Sequence, residues 1–129
     1  MPGRIVMIED NEQNRYMAIF LLEKSGYEVL TAPDGPSGIA LAAETRPDLI
    51  LLDIQLPGMD GYEVARALRE DPSLAGTPIV AVTSYAMLGD REKAIAAGCD
   101  GYLEKPIDPD RFVLQIADFL PPAPEDGRP

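Results

Sequence analysis

The stretch that most constrains this chain is Leu49-Ile50-Leu51-Leu52-Asp53, an unbroken run of large apolar residues that stops at a carboxylate. A strand with one wet face alternates apolar and polar residues. A run without alternation belongs to a strand covered on both faces, as central parallel strands are. Parallel neighbours are joined by crossovers, usually helices, so the run also implies strands and helices alternating on either side of it. Ligands of such open sheets gather beyond the carboxyl ends of the strands. Asp53 therefore stands where a reactive group is presented, and the question is which residues join it.

Ile5-Val6-Met7-Ile8 is a second apolar run, and it ends in Glu9-Asp10-Asn11. A helix is predicted from Glu12 to about Lys24, with Met17, Phe20, Leu21 and Leu22 at helical spacing and Ser25-Gly26 as its stop. Tyr27–Thr31 alternates like an edge strand, and Asp34-Gly35-Pro36-Ser37 opens a second helix reaching Thr45. Asp60 can cap a third helix with Val64, Ala65 and Leu68 inward, ending near Asp71-Pro72. Ile79-Val80-Ala81-Val82 reads as a fourth buried strand that delivers Thr83-Ser84 at its end.

A fourth helix, about Met87 to Ala97, has a weak apolar stripe, which predicts light anchoring, and stops at Gly98. Gly101–Glu104 is a short fifth strand followed by Lys105-Pro106. The last helix, about Pro109 to Leu120, puts Phe112, Val113, Ile116, Phe119 and Leu120 on one face. Residues 1–120 thus form one domain, and the Pro-rich segment 121–129 is expected to be a disordered tail. Five strands alternating with five helices predict an α/β fold of the flavodoxin-like (βα)5 type. Its doubly wound parallel sheet has the order 2-1-3-4-5 and helices on both faces.

Charge narrows the function. The 129 residues carry a net charge of −11, with a pI near 4.2, which argues against direct contact with nucleic acid or an anionic membrane. No apolar run is long enough to span a bilayer, and Met1-Pro2-Gly3-Arg4 leads into a strand without a signal-peptide core, so a cytoplasmic location is expected. The absence of histidine removes the usual general base and the commonest zinc ligand. Cys99, the single cysteine, reads as a small packing residue.

In the predicted strand order the first and third strands are neighbours, so Glu9, Asp10 and Asp53 converge. Unit charges ~4 Å apart repel by roughly 4 kcal/mol at an effective dielectric of about 20, so the cluster calls for a proton or a cation. An all-oxygen set suits Mg2+, with Mn2+ as an alternative. Thr83 brings a hydroxyl and Lys105 an ammonium, donors suited to an anion seated on Asp53. The set reads as a carboxylate nucleophile, a divalent cation and two groups to hold phosphoryl oxygens. Each residue alone has a plain structural reading, as helix cap, surface charge or strand residue; together at the ends of the right strands they do not. A phosphohydrolase of the haloacid dehalogenase type wants a second Asp where this chain has Gln55. A flavin binder wants a Gly/Ser/Thr-rich loop where it has Glu9-Asp10-Asn11-Glu12.

From about Arg4 to Leu120 the sequence resembles the receiver domains of two-component response regulators. The motifs that carry the likeness are Glu9-Asp10, Leu52-Asp53-Ile54-Gln55-Leu56-Pro57-Gly58-Met59-Asp60-Gly61, Thr83-Ser84 and Tyr102-Leu103-Glu104-Lys105-Pro106. A finer likeness, in Asn14-Arg15 and Ser84-Tyr85-Ala86-Met87, is to DivK-like single-domain regulators and hybrid-kinase receivers.

The resemblance implies a phosphoacceptor role for Asp53, receiving a phosphoryl group from a histidine kinase or histidine phosphotransfer protein, in a protein that is not a turnover enzyme. It implies Mg2+ ligation by Asp10, Asp53 and the Gln55 backbone carbonyl, with Glu9 acting through water. Thr83 and Lys105 would contact the phosphoryl oxygens, and Thr83 with Tyr102 would form the switch. Gln55 and Tyr85 would tune hydrolysis, and a cis bond would link Lys105 to Pro106. Output would pass through the face made by the fourth helix, fifth strand and last helix, to a protein partner or a phosphorylation-dependent second copy.

Overall fold

The structure, a computed structural model, describes residues 3–56, 58–83, 89–105 and 107–120. In chain order these form β1 (Arg4–Ile8), α1 (Glu12–Lys24), β2 (Glu28–Ala32), α2 (Gly35–Thr45), β3 (Leu49–Asp53) and α3 (Gly61–Glu70). A short 3-10 turn (Pro72–Leu74), β4 (Ile79–Thr83), α4 (Asp90–Ala96), β5 (Gly101–Glu104) and α5 (Phe112–Ala117) follow. The strands pair in parallel in the order β2-β1-β3-β4-β5. Every residue of β3 and β4 is buried, as their unbroken apolar runs require.

The two-residue period of the strands divides the core between the faces. Val6, Ile8, Ile50, Leu52, Ile79 and Ala81 pack with Val64, Ala65 and Leu68 of α3. Ile5, Met7, Leu49, Leu51, Val80 and Val82 pack with Ala18 and Leu22 of α1 and Phe112 and Ile116 of α5. The flavodoxin-like (βα)5 arrangement with helices on both faces is thus the observed one.

Two helices depart from expectation. Met17 and Phe20 of α1 are 41% and 56% exposed, while Ala18 and Leu22 are fully buried. Apolar residues surround much of this helix, so spacing left its inward stripe open, and packing selects the small Ala18. The last helix is shorter at both ends than Pro109–Leu120. Asp108 accepts from the Asp110 and Arg111 amides, which makes 108–111 a turn, and the Phe119 and Leu120 amides bond three residues back, to Ile116 and Ala117. Those i−3 bonds tighten the chain out of α geometry. The expected start of the fourth helix at Met87 lies outside the described residues, which resume before Asp90; so does the tail 121–129. No helix among the described residues is long and apolar enough to cross a membrane.

Candidate functional site

The register builds the site. Ile8 pairs with Leu52, so the residues that follow, Glu9 and Asp53, emerge side by side where the strands end. Asp53 is level with Val82, and Thr83 with Glu104, which brings Thr83 and then Lys105 to the same edge. Among the described residues Glu9, Asp53 and Thr83 are the buried polar ones, whereas Asp10 is exposed. Carboxylate oxygens of Glu9, Asp10 and Asp53 lie within 4.8 Å of one another. The Lys105 Nζ stands 2.8 Å from Glu9 Oε1 and 3.4 Å from Asp53 Oδ2, spanning the two buried acids.

Burial pushes the Glu9 carboxyl above its ordinary value, and its hydrogen bond with the Asp53 carboxyl adds to the rise; Lys105 pulls in the opposite direction. A hard cation among these oxygens removes the need for that proton. Acid donors from two strand ends, one of them open to solvent, fit a hydrated divalent ion such as Mg2+, which takes few carboxylates and keeps several waters.

The flanking loops are held by local bonds. Between β3 and α3, the Gln55 amide donates to Asp53 Oδ1 at 2.9 Å, and the Gly61 amide reaches back to the Ile54 carbonyl at 3.1 Å. A Cβ on Gly61 would sit 2.4 Å from the Ile54 Cα, so only glycine lets this loop close. Asp60 caps α3 as its sequence position suggested, reciprocated by Glu63 in a capping box. Between β1 and α1, Asn11 rather than Asp10 is the cap, accepting from the Asn14 amide.

Sequence reasoning gave Arg15 no role, yet its Nη1 donates to the Glu9 carbonyl at 2.8 Å. The available signal was a cation one turn into the helix that follows an acid pair.

The structure therefore brings Glu9, Asp10, Asp53 and Lys105 together, with Gln55 beside them and Thr83 at the adjoining strand end. Tyr102 lies on the sheet face that carries α3, half-buried, and among the described residues its buried hydroxyl has no hydrogen-bond partner. Burial pushes that hydroxyl's ionisation up, with Asp90 and Glu104 adding to it. Tyr85 and Pro106, and with it the expected cis bond, lie outside the described residues.

Residues 5–117 match the response regulator receiver domain. The chain belongs to the response regulator receiver family. Among its relatives, this receiver is 44% identical over 120 residues to the polar-differentiation response regulator DivK of Brucella anthropi, covering 93% of this chain and 98% of that one.

The receiver is also similar to the chemotaxis response regulator CheY4 of Vibrio cholerae, with 30% identity and a TM-score of 0.87 over 92% of this chain and 98% of the other. A receiver domain of a sensor histidine kinase from Pseudomonas aeruginosa PAO1, solved with magnesium coordinated in its active site cleft, is 34% identical with a TM-score of 0.81. That match covers 90% of this chain and 94% of the other. As a receiver, the domain is phosphorylated on an aspartate beside an acid cluster able to coordinate Mg2+. It takes the phosphoryl group from a histidine kinase or phosphotransfer protein and signals by protein contacts through the α4-β5-α5 face, without being a turnover enzyme.

Proposed function

We propose that Asp53 is the phosphoacceptor of this receiver. The observation that carries the assignment is the buried ion pair: Lys105 spans Glu9 and Asp53 at 2.8 and 3.4 Å, inside a cluster of three carboxylates of which it can balance one. An Asp53 oxygen forms a bond to phosphorus as the P–N bond to the donor imidazole breaks, and the imidazole leaves with a proton. Lys105 exchanges its contact with Asp53 for a phosphoryl oxygen, and Thr83 donates its hydroxyl to another. Asp10, Asp53 and the Gln55 carbonyl would hold Mg2+, with Glu9 acting through water, and its charge would offset that of the incoming phosphoryl group. Gln55 and Tyr85 tune the later hydrolysis of the aspartyl phosphate.

The switch couples Thr83 to Tyr102. The phosphoryl group brings roughly two negative charges and three acceptor oxygens. Thr83 turns toward them, and the Tyr102 ring follows into the space beside β4. A buried hydroxyl without a partner among the described residues supports this role, because no hydrogen bond would be broken when the ring moves. Residues 1–120 work as one receiver unit, with 121–129 as a tail, in the cytoplasm.

The test is labelling by a small acyl phosphate with Mg2+, alongside beryllofluoride binding. Asp53→Asn is expected to keep the far-UV spectrum of the parent and to lose both; undiminished labelling in that variant would reject the assignment.

A further inference from the structure

The acids of the site are not held alike. Glu9 is buried, its carboxylate accepting from the Asn11 amide at 3.1 Å and paired with Lys105. Asp53 accepts from the Gln55 amide. Asp10 is exposed, and its carboxylate accepts no hydrogen bond among the described residues, so its aim depends on the two peptide units that flank it. The peptide after Asp10 is fixed through the Asn11 amide by the Glu9 carboxylate. The peptide before it is fixed through the Glu9 carbonyl, which accepts from Arg15 Nη1 at 2.8 Å. Glu9's own amide is tied to the Ala32 carbonyl of β2 at 3.0 Å, so the loop is anchored upstream of Arg15's contact. Arg15 is half-buried on α1, and its backbone amide is bonded to the Asn11 carbonyl, so the guanidinium rides on the helix that the same loop caps.

We propose that Arg15 is a positioning residue for the divalent cation, acting through the Glu9–Asp10 peptide to aim the Asp10 carboxylate; the proposal rests on the magnesium reading given above. Two effects of Arg15 on a cation have opposite signs, and this makes the role testable. As a positive charge near the cluster, Arg15 repels a metal ion, so charge alone predicts tighter binding when it is removed. As the group that orients a ligand-bearing peptide, it favours binding, and loss of outer-shell partners of this kind weakens metal affinity by about 10–100-fold. The bond to the Glu9 carbonyl makes orientation the larger effect.

The experiment is a calorimetric titration of the full, unphosphorylated chain with Mg2+, comparing the parent with Arg15→Met and Arg15→Lys, each also melted by circular dichroism. Arg15→Met is expected to raise the Kd for Mg2+ by about tenfold, and Arg15→Lys, which keeps a cationic donor but on a flexible ammonium in place of the planar guanidinium, by less. Labelling of both should return to the parental level at saturating Mg2+. A Kd for Arg15→Met equal to or below the parent's overturns the proposal, because only the charge would then have mattered. Should Arg15→Met fail to fold, Arg15→Lys decides: a raised Kd supports the role and an unchanged one overturns it. No uptake by the parent itself would instead overturn the magnesium reading, and the role of Arg15 with it.

Discussion

Replacing Asp10 by Asn should stabilise the metal-free protein and make it indifferent to Mg2+. Asp10 shares a radius of 4.8 Å with Glu9 and Asp53. At that separation two unit charges repel by about 3.5 kcal/mol at an effective dielectric of about 20, and by about 0.9 kcal/mol at about 80. Asp10 is exposed, so the lower value applies, and Lys105 already balances one of the two buried acids. Removing the Asp10 charge is therefore worth about 1 kcal/mol, which for a domain of this size raises the melting temperature by roughly 3–5 °C.

Added Mg2+ reverses the order: an ion that binds only the folded state contributes about 2.7 kcal/mol at a hundred times its Kd, and Asp10→Asn forfeits most of that. Thermal melts by far-UV circular dichroism, in chelator and in saturating Mg2+, should place the variant above the parent in the first and below it in the second. A variant less stable than the parent in chelator, or one gaining as much from Mg2+, would refute the reasoning.

Three further outcomes follow from groups around the site. Tyr102→Phe removes a buried hydroxyl that has no partner among the described residues, so the unphosphorylated domain should gain up to about 1 kcal/mol in a denaturant melt; a clear loss would mean that the hydroxyl is satisfied. Arg69 donates to the carbonyls of Leu74, Thr77 and Gly98 and pairs with Asp100, tying the end of α3 to the turns before β4 and β5. Arg69→Met should cost at least about 2 kcal/mol while leaving Asp53 labelling intact, and a cost no larger than that of an ordinary surface change would remove this hub from the account.

Burial pushes the Cys99 thiol up to about 11, from 9.0 for a free one. As pH rises from 9.0, the unfolded chain loses the thiol proton before the folded one does, so stability falls through that window; Cys99→Ala should flatten this part of the profile, and an unchanged slope would count against it.

What could be read from the residues, and what could not, divides along a physical line. Asp53, Glu9, Thr83 and Lys105 were legible because each sits at or just past the end of a strand. An unbroken apolar run has one place in a parallel sheet, and the strand order and register then fix its neighbours. The inward face of α1, the tightened ends of α5 and the buried Tyr102 hydroxyl depend on how side chains share a finite volume, which periodicity does not encode. Arg15 belongs to a third kind: its contact with Glu9 spans only six residues, but it exists only once the loop has turned and the helix has started.

The legible part of the site is also its unstable part. A topology that aligns strand ends so strictly forces Glu9 beside Asp53 whatever the loops do, and a lone lysine cannot neutralise three carboxylates. The demand for a cation, and hence the opening for phosphoryl chemistry, is thus a consequence of the fold, while the loop contacts decide how well that demand is met.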